Sequence, residues 1–223
     1  VAGTVYDSAL VNVYKNATVK LFTEPNGGGS HVSTIEVDEK VPFILALHYA
    51  GEVVPYYGMT YLQILVEPGF KDLGAIIIAP DCPGRGWTDP LSEEIIKELL
   101  QEISEYWPVD KSKFLLTGFS MGGFGAWYYG SKYPDIFSAS IPVAGRPTGE
   151  TEMQIPVYTL HGQFDEIVDV EPTRKEIKKL KKRGLNAKLY IVQGLTHYQT
   201  DEYVPSLRKT GKWLQAIWKE NLQ

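Results

Sequence analysis

At 223 residues, with 43% hydrophobic and 22% charged residues, the chain has the length and composition of a globular protein with one substantial core. A net charge of −5 offers no basic patch for nucleic acid, and no apolar run reaches membrane-spanning length, so neither partner is expected. The one cysteine, Cys82, excludes an internal disulfide and a cysteine-built zinc cluster, which leaves the fold to its core.

In chain order, Val11, Val13, Val19 and Leu21 alternate around a polar centre, and the spacing predicts two short strands paired antiparallel. A loop with three consecutive glycines follows, then a further alternating stretch over 31–37. Residues 41–48 form a continuous apolar run of the kind buried on both faces of a sheet. A helix is predicted from Met59 through Val66, ending before Pro68. A second apolar run, 75–80, empties into a turn-rich loop from Asp81 to Trp87. Asp89-Pro90 reads as an N-cap with proline at the first helical position, opening a helix that Pro108 stops. Strands are then predicted over 114–117, 137–143, 157–161 and 189–192. A glycine-rich helix follows Ser120, a lysine-rich one runs from Val170 to Arg183, and the last presents Leu207, Leu214, Ile217 and Trp218. Strands alternating with helices imply an α/β fold, one domain over 1–223, with a mostly parallel sheet covered on both faces and extra antiparallel strands in 1–40.

Such sheets carry functional loops at the carboxyl ends of their strands. One of these ends reads Gly118-Phe119-Ser120-Met121-Gly122, a strand, a glycine-flanked serine and a helix start. The turn lifts the serine oxygen clear of the sheet and sets the Met121 N–H at a helix start, where an oxyanion can be held.

A serine hydroxyl needs an imidazole to take its proton and a carboxylate to hold that imidazole. Of four histidines, only His197 lies in a late loop after the last strand, beyond Gly194. His31 reads as a surface residue, and His48 and His161, at strand ends, read as structural, holding loop backbone by hydrogen bonds. The carboxylate should follow a strand between Ser120 and His197, which selects Asp165. Glu166 is expected to point elsewhere, Asp169 to cap the next helix, and Asp135 to serve as a cap or surface residue. A second oxyanion donor should come from the loop after residues 41–48, with Ala50 the choice and Tyr49 the alternative. Tyr49, Trp87 and Tyr198 are expected to wall a cleft. The short segment 144–156 leaves no room for a lid, so the cleft should be open and suited to small or extended substrates.

These motifs resemble the α/β-hydrolases with a serine nucleophile. The segment from Val109-Asp110 through Gly118–Gly123, Tyr133-Pro134-Asp135 and Pro142-Val143-Ala144-Gly145 looks like the carboxylesterase branch. That branch includes feruloyl-esterase-like, polyhydroxybutyrate-depolymerase-like and predicted-peptidase proteins. His161-Gly162-x-x-Asp165 and Gly194-x-x-His197 continue the likeness, which runs from about residue 41 to the C-terminus. The family shows His-Gly after its third strand where this chain has His48-Tyr49-Ala50-Gly51. The resemblance implies a triad of Ser120, Asp165 and His197 and hydrolysis of small-molecule carboxylic esters through an acyl-enzyme, with no metal or organic cofactor. A peptidase or amidase on the same triad and a catalytically silent binding module are the alternative readings. The complete triad spacing argues against silence. A soluble protein is expected, cytoplasmic or, with its leader removed, secreted.

Overall fold

The computed structural model describes residues 40–149 and 152–220, together with three short strands ahead of them. These are β1 (Leu10–Val13), β2 (Leu21–Phe22) and β3 (His31–Val32). The side chain of His31 and the predicted strand positions at Val19 and 33–37 lie outside the described residues.

Six strands follow: β4 (Val41–Leu47), β5 (Ile76–Ala79), β6 (Val109–Phe119), β7 (Ala139–Val143), β8 (Val157–Gly162) and β9 (Ala187–Val192). With β1 they form one sheet in the order β1-β5-β4-β6-β7-β8-β9, parallel throughout except at the β1 edge. The first strand therefore does not pair with its neighbour in sequence as the alternation implies. It runs antiparallel along β5, with Leu10 opposite Ala79, and so covers main-chain groups that an edge would leave unpaired. The small antiparallel pair is instead β2 with β3.

The apolar run predicted to be buried on both faces is β4. Phe43, Leu45 and Leu47 pack with α3 (Pro90–Tyr106), α4 (Met121–Lys132) and α5 (Glu171–Lys182). Ile44 and Ala46 pack on the opposite face with α1 (Tyr57–Tyr61), α2 (Glu67–Phe70) and α6 (Val204–Glu220). Asp89 caps α3 as expected, its Oδ1 accepting from the Leu91 N–H at 3.0 Å. Leu207, Leu214, Ile217 and Trp218 of α6 are all buried. Glu93 on α3 fastens the far end of α4, accepting from Tyr128 Oη at 2.7 Å and from Lys132 Nζ at 2.8 Å.

Pro68 does not end the first helix. Between α1 and α2 the chain makes a π-helical turn, Leu62–Val66, and the Glu67 N–H bonds back to the Leu62 carbonyl. Proline lacks the N–H for an ordinary helical bond, and its ring crowds the preceding turn. The widened turn immediately before it relieves that crowding, so helical geometry continues to Phe70.

Segment 144–156 carries no helix or strand among its described residues. It threads back into the body of the molecule, where Met153 and Ile155 are buried in the core beneath α4.

Candidate active site

Ser120 joins β6 directly to α4 with φ 55° and ψ −114°, a region that costs a non-glycine residue on the order of 1–3 kcal/mol. The flanking glycines make the turn possible. A Cβ on Gly118 would lie 2.1 Å from the Gly122 carbonyl oxygen, and one on Gly122 would lie 1.7 Å from the Leu47 carbonyl oxygen. No other residue type fits between backbones that close. Beyond the turn, the start of a helix leaves the Met121 N–H without an intrahelical partner.

His197, in the loop after β9, brings its Nε2 to 2.8 Å from Ser120 Oγ. Its Nδ1 lies 3.0 Å from Asp165 Oδ1 and 2.9 Å from Oδ2. An ionised carboxylate can only accept, so Nδ1 carries the proton and Nε2 presents its lone pair to the serine hydroxyl. The Asp165 side chain is 1% exposed. Burial pushes its carboxyl up, but hydrogen bonds from His197 and from the Val168 and Ile167 N–H groups outweigh burial and hold it below the usual carboxylate value. The structure thus brings together Ser120, His197 and Asp165, residues separated by up to 77 positions in the chain.

His48 and His161 hold loop backbone. Cys82 N–H donates to His48 Nε2 at 2.9 Å, which puts the ring proton on Nδ1, where it is donated to the Tyr49 carbonyl at 2.7 Å. His161 Nε2 donates to the Val168 carbonyl at 2.8 Å, beneath the acid loop. Desolvation by burial pushes both imidazoles below the ordinary 6.5. Asp169 accepts from the Glu171 N–H at 2.9 Å at the start of α5, and Asp135 is exposed in the turn after α4.

The expected cleft walls divide. Tyr198 is 73% exposed, with its ring centroid 5.6 Å from that of His197, and Tyr49 is half-buried against Phe119, Tyr57 and Tyr61. Trp87 is a correction: at 1% exposure it is a core residue and lines no open wall. Its Nε1 donates to the His48 carbonyl at 2.8 Å, and its Cβ lies against Gly125 of α4. An indole in a glycine-rich loop looks displayed in the sequence; here the absence of a side chain at Gly125 is what lets it in. Ala50 is exposed at the head of the loop after β4.

Two carboxylates have roles the sequence pattern did not assign. Asp81, just past β5, accepts from the Tyr56 and Gly58 N–H groups at 2.8 and 2.9 Å and so ties down the far end of the loop that holds Tyr49 and Ala50. Its position at a strand's carboxyl end was the available signal. Glu166 does not point away from the site, since its Oε2 accepts from the His197 N–H at 3.2 Å. Among the described residues, no group of three or more His, Cys, Asp or Glu is placed to hold a metal ion, and no helix is long and apolar enough to cross a membrane.

The sheet order, the helices on both faces and the sharp serine turn define an α/β-hydrolase fold, and solved structures agree. A thermostable esterase superposes with a TM-score of 0.65 at 23% identity, covering 92% of this chain and 64% of that one. Esterase PE8 gives 0.65 at 19% identity over 90% and 99%. Within that fold, the Esterase family model matches residues 78–202, more than half of the chain, and the chain belongs to that family. Acetylxylan esterase A of Aspergillus oryzae is 28% identical over 120 residues, 48% of this chain and 38% of its own. Protein usf of Aquifex pyrophilus is 27% identical over 128 residues, 53% of this chain and 55% of its own. The chain therefore spans about half or less of the length of the curated relatives it matches.

Proposed function

We propose that this chain is a carboxylic ester hydrolase that works through an acyl-enzyme, with residues 1–223 acting as one domain. The observation that carries the proposal is the unbroken hydrogen-bonded chain from Ser120 Oγ through the His197 ring to a buried, ionised Asp165. Ser120 Oγ attacks the ester carbonyl carbon as His197 Nε2 takes the hydroxyl proton. Asp165 keeps the ring in the required tautomer and stabilises the imidazolium that forms. The tetrahedral oxyanion is met by the Met121 N–H and by a second N–H from the loop after β4, assigned to Ala50 with Tyr49 the alternative. Collapse expels the alcohol, which receives the proton from Nε2. Water then repeats the cycle on the acyl-serine and releases the acid.

The substrate is read from the rim. Val53, Val54 and Tyr56 in the loop after β4, Phe164 and Ile167 beside Asp165, and Tyr198 beside His197 are all exposed. Apolar side chains spread over these three loops suit small-molecule esters with an apolar or aromatic half, and they leave the site open to an extended substrate. An organophosphonate should add one adduct mass, at Ser120, and a panel of acetyl, butyryl and feruloyl esters should be turned over. Folded protein that stays unlabelled would overturn the proposal. Faster turnover of an amide than of its matched ester would replace it with amide hydrolysis on the same triad.

A further inference from the structure

The loop after β8 grips the loop after β9 with every residue from 163 to 166. The Gln163 N–H donates to the Val192 carbonyl at 2.9 Å, and its side-chain Oε1 accepts from the Gly194 N–H at 3.0 Å. The Phe164 N–H donates to the Leu195 carbonyl at 2.8 Å. Asp165 holds the ring of His197, and Glu166 Oε2 holds the N–H of that same residue at 3.2 Å. Two consecutive carboxylates thus fix the two ends of one histidine.

The second grip has a function because the first leaves a freedom open. A ring fastened only through its nitrogens can keep both bonds while its backbone drifts, compensating by rotation about the side-chain bonds. During the reaction Nε2 must also let go of Ser120 and turn its proton toward the departing alcohol. At that moment the ring's one remaining hydrogen bond is to Asp165, and the position of the backbone bears directly on where Nε2 points. A misplacement of about 1 Å can cost on the order of 10²-fold in rate.

We propose that Glu166 is a positioning residue for His197, acting through the main-chain N–H to keep the base in register with Ser120. It touches neither substrate nor the reacting atoms, and its role in catalysis rests on the ester-hydrolase reading above. An amide oxygen would accept the same bond, so Glu166→Gln should preserve the tether and Glu166→Ala should lose it.

The test compares both variants with the native chain on a nitrophenyl acetate, with amide hydrogen exchange at His197 followed by NMR. Glu166→Ala should lower kcat by about 10-fold with KM within about twofold, and should speed exchange of the His197 amide by at least about 10-fold. Glu166→Gln should restore both to within about threefold of native. A native kcat in Glu166→Ala, a Gln variant as impaired as the Ala variant, or an unprotected His197 amide in the native chain would each overturn the proposal. If the native chain neither turns over the ester nor takes up organophosphonate, the ester-hydrolase reading fails, while the exchange measurement still decides whether the tether exists.

Discussion

The two sides of the serine are held in different ways. On the histidine side, neighbouring loops after β8 and β9 bond to each other residue by residue from Gln163 to Glu166, and the ring of His197 is fixed at both nitrogens. On the side of the proposed oxyanion donors, the loop after β4 is pinned mainly near its ends, with one long bond between, from Tyr57 Oη to the Ala50 carbonyl at 3.4 Å. His48 bonds to the Cys82 N–H at one end, and Asp81 takes the Tyr56 and Gly58 N–H groups at the other. Residues 50–55 between them are exposed. His197 is thus held within a unit of two bonded loops, whereas the loop after β4, where the second oxyanion donor is proposed, depends on a few anchors, among them polar ones from the segment after β5.

Breaking the histidine side should have the larger effect. Asp165→Asn keeps the shape of the carboxylate but offers a donor where Nδ1 needs an acceptor, so His197 takes the wrong tautomer. Turnover of a nitrophenyl ester should fall by about 10⁴, as in the serine-protease precedent, with the far-ultraviolet circular dichroism unchanged. A loss under tenfold would show that another group orients the ring. On the other side, Asp81→Ala frees one end of the loop carrying Tyr49 and Ala50. A donor displaced by about an ångström predicts a fall in kcat of up to about 10²-fold with little change in KM. An unchanged kcat would mean that the loop keeps its place without Asp81.

The smallest effect is on stability, and it involves both sides at once. His48 beneath one loop and His161 beneath the other are kept neutral by burial, below their ordinary 6.5. As pH falls through about 6.5 the unfolded chain takes up protons that the folded chain refuses, so stability is full at neutral pH and declines below it. Asp165, held below the usual carboxylate value, adds a further loss only at pH below about 4. Thermal melts from pH 8 to 5 should show Tm level at first and then declining, by about 2–4 °C for each kcal/mol lost at this chain length. A Tm that rises between pH 6.5 and 5 would contradict burial of neutral imidazoles.

How much of this was legible in the sequence depends on how local each signal is. The serine turn is written in five consecutive residues, because backbones that approach this closely admit only glycine at Gly118 and Gly122. Asp89 and Asp169 sit beside the N–H groups they cap, and both were readable. His197 and Asp165 followed from the rule that functional loops leave the carboxyl ends of strands. What escaped depends on distant partners. Nothing near Glu166 in sequence announces that its acceptor will meet an N–H 31 residues later. Trp87 reads as displayed until Gly125, on another element, opens space for its ring. Pro68 reads as a stop because periodicity does not register a π turn, and the pairing of β1 with β5 spans more than sixty residues.

The dihedral angles at Ser120 carry one more consequence. Nothing about this serine is unusual in an unfolded chain: the bend at Ser120 and the imidazole bonded to its oxygen exist only once sheet, helix and late loop are assembled. Where a phosphonate captures its oxygen, as proposed above, the labelled fraction is a census of native molecules. Counted across a urea series, it would report the surviving folded fraction from the chemistry of a single atom.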